Sequence, residues 1–285
     1  MTKASKLREM INRDGPTMMP GCYDAISAKL IEKAGFEVTC TSGYCLHASM
    51  MAKPDIGLVS YTEMTDVAGR IAAAIDIPLM VDGESGYGNA INVMREISDL
   101  ENRGAAGIFF DDQDFPPNCP WVKAMHVVSP EEVVGKIEAA LTARRDPDFV
   151  ICVRSDAPDF DEQVRRVNMY LDAGADIVMI SGMTPENVKR APKLVHGPMM
   201  CVVSAGRGGP RAYTAEQLGD LGFKLLMYPQ APLFMNIKNT YEGLKLLLES
   251  GTQDALGDHV ITMDEYFDII DMEKHRALEA RYLKG

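Results

Sequence analysis

Pro78-Leu79-Met80-Val81-Asp82-Gly83-Glu84-Ser85-Gly86-Tyr87-Gly88-Asn89 opens a unit that continues as a helical pattern to Arg103 and then as Gly104-Ala105-Ala106-Gly107-Ile108-Phe109-Phe110-Asp111-Asp112. A short apolar run, a glycine-rich turn, an amphipathic stretch and a second apolar run make one βα unit with the next strand attached. Gly104 stands where the helix has to end in a left-handed cap. The same alternation recurs from end to end. It predicts strands at 17–20, 38–42, 78–81, 107–110, 149–153, 177–180, 199–203 and 225–228, and helices at 24–34, 61–74, 89–103, 130–143, 161–173 and 215–221. Several of these helices begin at Ser, Thr, Asp or Pro, which suit a first turn, and Gly35, Gly174 and Gly222 repeat the role of Gly104. Eight strands punctuated this way predict an α/β fold, a (β/α)8 TIM barrel, with no composition break for a second domain. The expected organisation is one barrel domain over 1–285, within which 250–285 is a C-terminal helical extension that reads as an interaction element.

Of the 285 residues, 46% are hydrophobic and 25% charged, which supports one large core and excludes wholesale disorder. The formal net charge is -12 without a block of Lys or Arg, so a nucleic-acid backbone or an anionic membrane would be repelled. No apolar run approaches the ~20 residues of a membrane span, and the polar N-terminus does not resemble a targeting segment. A cytoplasmic protein with a small-molecule partner is expected. Cys22, Cys40, Cys45, Cys119, Cys152 and Cys201 lack zinc-type spacing and read as free thiols, small apolar residues everywhere except at Cys119. The five histidines form no ligand spacing, and no dinucleotide fingerprint or phosphate-binding lysine loop is present.

In such a barrel the chemistry sits where the strands end and the βα loops converge. The polar residues there are Ser42 and Gly43 after strand 2, Asp82 and Glu84 after strand 3, Asp111 and Asp112 after strand 4, and Arg154 and Asp156 after strand 5. Carboxylates gathered on neighbouring strands repel one another, and a divalent cation resolves the repulsion. Oxygen donors without His or Cys suit Mg2+ or Mn2+. The competing expectation is that these acids merely cap the following helices. Arg154 is placed to hold a substrate carboxylate in bidentate fashion, and Ser42 and Gly43 offer backbone N–H groups to an anion.

Taken in order, Gly21-Cys22-Tyr23-Asp24-Ala25, Thr41-Ser42-Gly43, Lys53-Pro54-Asp55, Val81-Asp82-Gly83-Glu84-Ser85-Gly86-Tyr87-Gly88, Phe110-Asp111-Asp112-Gln113 and Val153-Arg154-Ser155-Asp156-Ala157 resemble the isocitrate lyase and phosphoenolpyruvate mutase superfamily. The resemblance covers nearly the whole chain, including Thr262-Met263-Asp264-Glu265-Tyr266-Phe267. It implies a Mg2+-dependent barrel enzyme acting on 2-hydroxy or 2-oxo acids, and a homotetramer (or dimer) whose C-terminal helices swap between subunits. It implies a metal site at Asp82, Glu84 and Asp111, with Glu84 in place of an Asp and Asp111 in place of a Glu. Asp55 matches an acid near the metal waters, Arg154 the substrate-carboxylate arginine, and Ser42 and Gly43 the backbone-amide site, with Tyr44 beside them as a further substrate contact.

The departures from the family bear on substrate. Methylisocitrate-cleaving relatives carry a basic loop after strand 4 whose Cys protonates the departing carbanion. Here that place reads Pro117-Asn118-Cys119-Pro120-Trp121, so the Cys is present and its cationic neighbours are not. Ser181 stands in place of a Glu, Cys40 in place of an aromatic residue, and Trp121 favours a smaller or more apolar group. The stretch Gly86 to Arg95 looks like the oxaloacetate decarboxylase branch, whose His near strand 8 is Gln230 here, and the Lys-x-Asn-Ser loop of the phosphonate mutases is absent. The expected activity is a Mg2+-dependent lyase that cleaves a C–C bond in a 2-hydroxy or 2-oxo dicarboxylate, 2,3-dimethylmalate or methylisocitrate-like, to an α-keto acid such as pyruvate, with Cys119, Arg154 and Asp55 as catalytic residues. Three alternatives stay open: an oxaloacetate decarboxylase or hydrolase, a phosphonomutase using Lys123 as its loop cation, and a non-catalytic metabolite-binding relative.

Overall fold

The computed structural model describes residues 1–119, 125–206 and 208–283, so the expectations attached to Trp121 and Lys123 lie outside the described residues. These form two compact units, Met1–Pro232 and Leu233–Gly285. The division falls earlier than the sequence-based boundary at 250, near the start of a long helix rather than at its end.

The first unit runs α1 (Lys3–Asn12), β1 (Thr17–Cys22), α2 (Ala25–Lys33), β2 (Thr39–Thr41), α3 (Gly43–Met51), α4 (Tyr61–Ala74), β3 (Leu79–Asp82), α5 (Ala90–Asn102), β4 (Gly107–Asp111) and α6 (Pro130–Ala143). It continues with β5 (Val150–Ser155), α7 (Phe160–Asp172), β6 (Ile177–Ile180), α8 (Pro185–Leu194), β7 (Met199–Val202), α9 (Ala215–Leu221) and β8 (Phe223–Tyr228). The eight strands are parallel and pair in sequence order into a closed barrel, sealed where Met19 of β1 lies opposite Met227 of β8. The eight-stranded barrel expected from the sequence is the barrel observed. Asp24, Ser60, Asn89, Ser129, Asp159, Thr184 and Thr214 cap the following helices through their side chains. The glycines expected to end four helices have positive φ, 93° at Gly35, 83° at Gly104, 105° at Gly174 and 111° at Gly222.

Alternation along each strand sends every second side chain inward. Met19, Cys40, Met80, Phe109, Cys152, Met179, Met200 and Met227 fill the barrel, and Leu7, Met10 and Ile11 of α1 join the same cluster, so α1 closes the N-terminal end. Thioether side chains adapt to the tapered interior, and each buried one contributes about 1.5–3 kcal/mol. The same alternation delivers Ser42, Asp82, Asp111 and Arg154 two residues further along their strands, at the open C-terminal end.

Two helices of this unit were not anticipated. In α3 the apolar residues Cys45, Leu46, Ala48, Met50 and Met51 are scattered around the axis instead of forming a stripe, and Ser42 makes no side-chain capping bond. In α8 the internal Pro192 reads as a breaker.

The second unit contains most of α10 (Ala231–Ser250), then α11 (Met263–Ile269) and α12 (Met272–Tyr282). Tyr241, Leu244, Leu248, Met263 and Tyr266 are exposed, an unusual amount of apolar surface for so small a unit. Among the described residues no helix is long and apolar enough to cross a membrane.

Candidate active site at the mouth of the barrel

A cavity of about 830 Å³ opens at the C-terminal ends of the strands. Ser42, Tyr44, Asp55, Asp82, Glu84, Asp111, Cys119 and Arg154 all line it. The strand-end loops therefore converge as the barrel argument requires. Gly43 sits just behind the wall, and its N–H donates to Asp82 Oδ2 (2.7 Å). The expectation of a loop at Ser42-Gly43 is corrected by the structure: Gly43 begins α3, so these amides belong to a helix N-terminus. A side chain at Gly43 would meet Glu84 Oε1 and have to displace that carboxylate, so the glycine lets Glu84 lie where it does.

Glu84 itself has a left-handed backbone, φ 52°, which brings its carboxylate beside Asp82. Asp82 Oδ1 accepts the Glu84 N–H (3.1 Å), and the Asp82 N–H donates to Thr41 Oγ1 (2.7 Å). Across the mouth, Arg154 Nη2 donates to Asp111 Oδ2 (2.8 Å) and its Nε to Asp156 Oδ2 (2.9 Å). Gln113 braces the same pair, donating from Nε2 to Asp156 Oδ2 (2.8 Å) and accepting the Asn118 N–H at Oε1 (2.9 Å), one residue before Cys119. The Cys119 N–H donates to the Asp55 carbonyl (3.1 Å).

Electrostatics set the character of the site. Burial pushes the carboxyls of Asp82, Glu84 and Asp111 above their usual range; for Glu84 the neighbouring Asp82, Asp55 and Asp111 add to it. Burial also pushes Asp55 up to about 6, with His47 opposing and Asp82 adding. Burial works against the Arg154 charge, but Asp156, Asp111 and Asp82 outweigh it and hold the guanidinium above its ordinary value. Glu84 Oε1 and Asp156 Oδ1 are buried without a hydrogen-bond partner among the described residues. Two buried, unpaired carboxylate oxygens in a crowd of acids are what a hard divalent cation would satisfy.

One expectation is corrected. Asp112 does not join the acids of the mouth. As the residue after Asp111 it points to the opposite face, where it accepts from Asp156 N–H (2.7 Å), Ser155 Oγ (2.8 Å), Tyr170 OH (3.0 Å) and Arg166 Nη1 (3.1 Å). Asp55 and Asp156 complete the acidic lining instead. The helix-capping alternative also falls for the mouth acids, since Asn89 caps α5 and Ser129 caps α6.

His47 carried no signal in the sequence yet is fully buried beside the mouth. One ligand atom each from His47, Asp55 and Glu84 lie within 4.8 Å of one another. The imidazole is already committed, however: Nε2 faces the N–H groups of Leu58 (2.8 Å) and Val59 (3.1 Å), so it accepts, and Nδ1 carries the proton towards the Gly43 carbonyl (2.8 Å). The spacing of four residues from Gly43 along a helix is the one clue a sequence could have offered.

Known proteins resemble this chain over most or all of their length. The family pattern described as phosphoenolpyruvate phosphomutase matches residues 7–248. The chain is 35% identical to the 2,3-dimethylmalate lyase of Eubacterium barkeri over 289 aligned positions, covering 100% of both. It is 33% identical to a 2-methylisocitrate lyase of Aeropyrum pernix, covering 96% of this chain and 90% of that one. A crystal structure of phosphonopyruvate hydrolase in complex with oxalate and Mg++ superposes with a TM-score of 0.90 at 30% identity, covering 100% of both chains.

Proposed function

Because the chain belongs to the isocitrate lyase and phosphoenolpyruvate mutase superfamily, we propose that it is a Mg2+-dependent carbon–carbon lyase. Its substrate is a 2-hydroxy or 2-oxo dicarboxylate of the 2,3-dimethylmalate or methylisocitrate type, and its product an α-keto acid such as pyruvate. The observation that carries this reading is Arg154, fixed between Asp111 and Asp156 at the base of an acid-lined cavity. A guanidinium held in that way presents its remaining N–H donors in one orientation, as recognition of a carboxylate needs.

Asp82, Glu84 and Asp111 would hold the metal, with Asp55 near its waters, and the oxygen-only donor set fits Mg2+ better than zinc. When bound, Mg2+ supplies positive charge where the substrate carboxylate and adjacent oxygen become more negative. Arg154 then binds and orients the carboxylate, and the amides at the start of α3 add a partial positive charge beside it. As the C2–C3 bond of a 2-hydroxy acid breaks, the hydroxyl proton leaves and C3 gains an electron pair. Asp55, which lines the cavity beside these acids, is suited to take that proton, and Cys119 to give one to C3. Ile180, Met183, Val202 and Met227 offer an apolar wall to alkyl substituents on the substrate. We further assign the protein to the cytoplasm as a homotetramer or dimer, with the apolar face of the Leu233–Gly285 unit covered by exchange of C-terminal helices.

The test is a panel of 2,3-dimethylmalate, methylisocitrate, oxaloacetate and phosphonopyruvate with Mg2+, followed by NMR. Pyruvate should form from one of the 2-hydroxy dicarboxylates and stop on chelation. Cys119→Ala should lower turnover on the order of 10²–10⁴-fold while sparing Mg2+ binding. Oxalate and acetate from oxaloacetate, a rearranged phosphonate, or anion binding without product would each replace the lyase reading.

A further inference from the structure

We propose that His47 is a positioning residue that joins the substrate-facing start of α3 to the segment carrying Asp55 and, through it, to Cys119; this rests on the lyase reading for its catalytic meaning. The segment 52–59 is wrapped around the imidazole. Its first residues fold back onto α3, with the Lys53 N–H donating to the His47 carbonyl (3.2 Å). Its last residues, Leu58 and Val59, both donate to Nε2. Between them Asp55 Oδ1 lies 3.5 Å from Nδ1, the nitrogen that also reaches the Gly43 carbonyl. His47 therefore meets the segment at its start through the backbone carbonyl, and in the middle and at its end through the ring.

The outer side of the same segment carries the loop after β4. Gly57, at φ 73°, packs so closely on this loop that a Cβ there would lie 2.7 Å from Pro116 Cβ and 2.9 Å from the Pro117 carbonyl. The Cys119 N–H is bonded to the Asp55 carbonyl (3.1 Å). A displacement of Asp55 would therefore move the loop carrying Cys119, and His47 is the buried side chain that lies behind Asp55 (3.5 Å) and anchors the end of its segment at Leu58 and Val59. The ring cannot serve as a metal ligand without giving up these bonds, so its task is to place groups that touch the ligand.

Two variants separate the donor from the acceptor. His47→Asn puts an amide N–H near the Nδ1 position and abandons the Leu58 and Val59 amides; His47→Gln puts an amide oxygen near Nε2 and abandons Gly43 and Asp55. Both are compared with the wild-type chain in thermal stability, in affinity for oxalate in the presence of Mg2+, and in kcat and KM on the dicarboxylate that the panel identifies. Positioning predicts that His47→Gln is the more stable variant yet binds oxalate at least tenfold more weakly and loses about 100-fold in kcat, with the His47→Asn losses smaller on both counts. In an Asp55→Asn background, His47→Gln should then change kcat little further. A merely structural His47 gives the reverse ranking, with binding and kcat following stability, and that result overturns the proposal, as does wild-type oxalate affinity in His47→Gln or full additivity with Asp55→Asn. If the wild-type chain turns over none of the panel, the lyase reading fails, and the oxalate affinities still decide the role of His47.

Discussion

Asp111 and Asp112 are consecutive, both buried, and belong to different regions of the molecule. Asp112 faces the seam between β4, β5 and α7, where four donors surround it, and Arg166 is held there also by Glu162 (2.8 Å) and the Val128 carbonyl (2.8 Å). Asp111 faces the mouth, where Arg154 and the Gln113 N–H (3.2 Å) are its close partners. Its carboxyl is driven well above the usual range by burial, with Arg154 opposing and Asp156 adding. The outward acid is consumed by the framework; the inward one retains a charge deficit that a ligand must fill. Residue type does not separate the two, because only the alternation of the strand decides which face each receives.

Breaking the outward member has the largest expected effect. Asp112→Ala takes from a buried arginine one of its two carboxylate partners and leaves three further donors unmatched, so unfolding in denaturant should show a loss of about 3–5 kcal/mol. The inward member should behave oppositely. Asp111→Asn removes one charge from a repelling group, so the metal-free protein keeps or gains stability, while turnover falls on the order of 10²–10³-fold. Equal destabilisation by the two substitutions would end the distinction between framework and mouth.

The same alternation explains what the sequence disclosed and what it concealed. Period-two apolar runs and glycine stops are local signals, so all eight strands, and helices such as α4, α6 and α9, were legible to within a residue or two. The mouth was legible because strand ends in a barrel must converge, which brought Asp82, Glu84, Asp111 and Arg154 to one place without knowledge of any contact. Counting Asp112 with them failed because the period-two alternation that turns Asp111 to the mouth turns the next side chain to the other face. Helix α3 was hidden by its all-round apolarity, and with it the part played by His47, whose partners at Leu58 and Val59 come from a segment without regular structure. Gly43 was read as a source of N–H groups, whereas the space taken by Glu84 is its stricter constraint.

A third buried carboxylate tests how far the comparison extends. Glu96 of α5 lies on the outer side of the barrel, as Asp112 does, but both its carboxylate oxygens are buried without a hydrogen-bond partner among the described residues. Lys136, the nearby cation, is engaged by the Ser85 carbonyl (2.9 Å) and opposes only at a distance the burial that pushes the Glu96 carboxyl well above 4.5. A carboxyl raised in this way favours the folded state least when ionised. Below the unfolded value of 4.5 both states are protonated and nothing is lost. As the pH climbs from there towards the folded value, the unfolded chain releases its proton first and stability declines. Glu96→Gln exchanges one neutral group for another of the same shape, so below pH 4.5 it should change stability little, and above it the variant should gain on the wild-type chain by about 1.4 kcal/mol per pH unit until the folded value is reached. Unfolding free energies of both proteins between pH 5 and 8, with metal chelated, should diverge as the pH rises, the variant having the flatter profile. Parallel profiles, or a variant that is several kcal/mol weaker, would mean that Glu96 is ionised and paired with Lys136, and the outer face would then hold no acid without a partner among those compared.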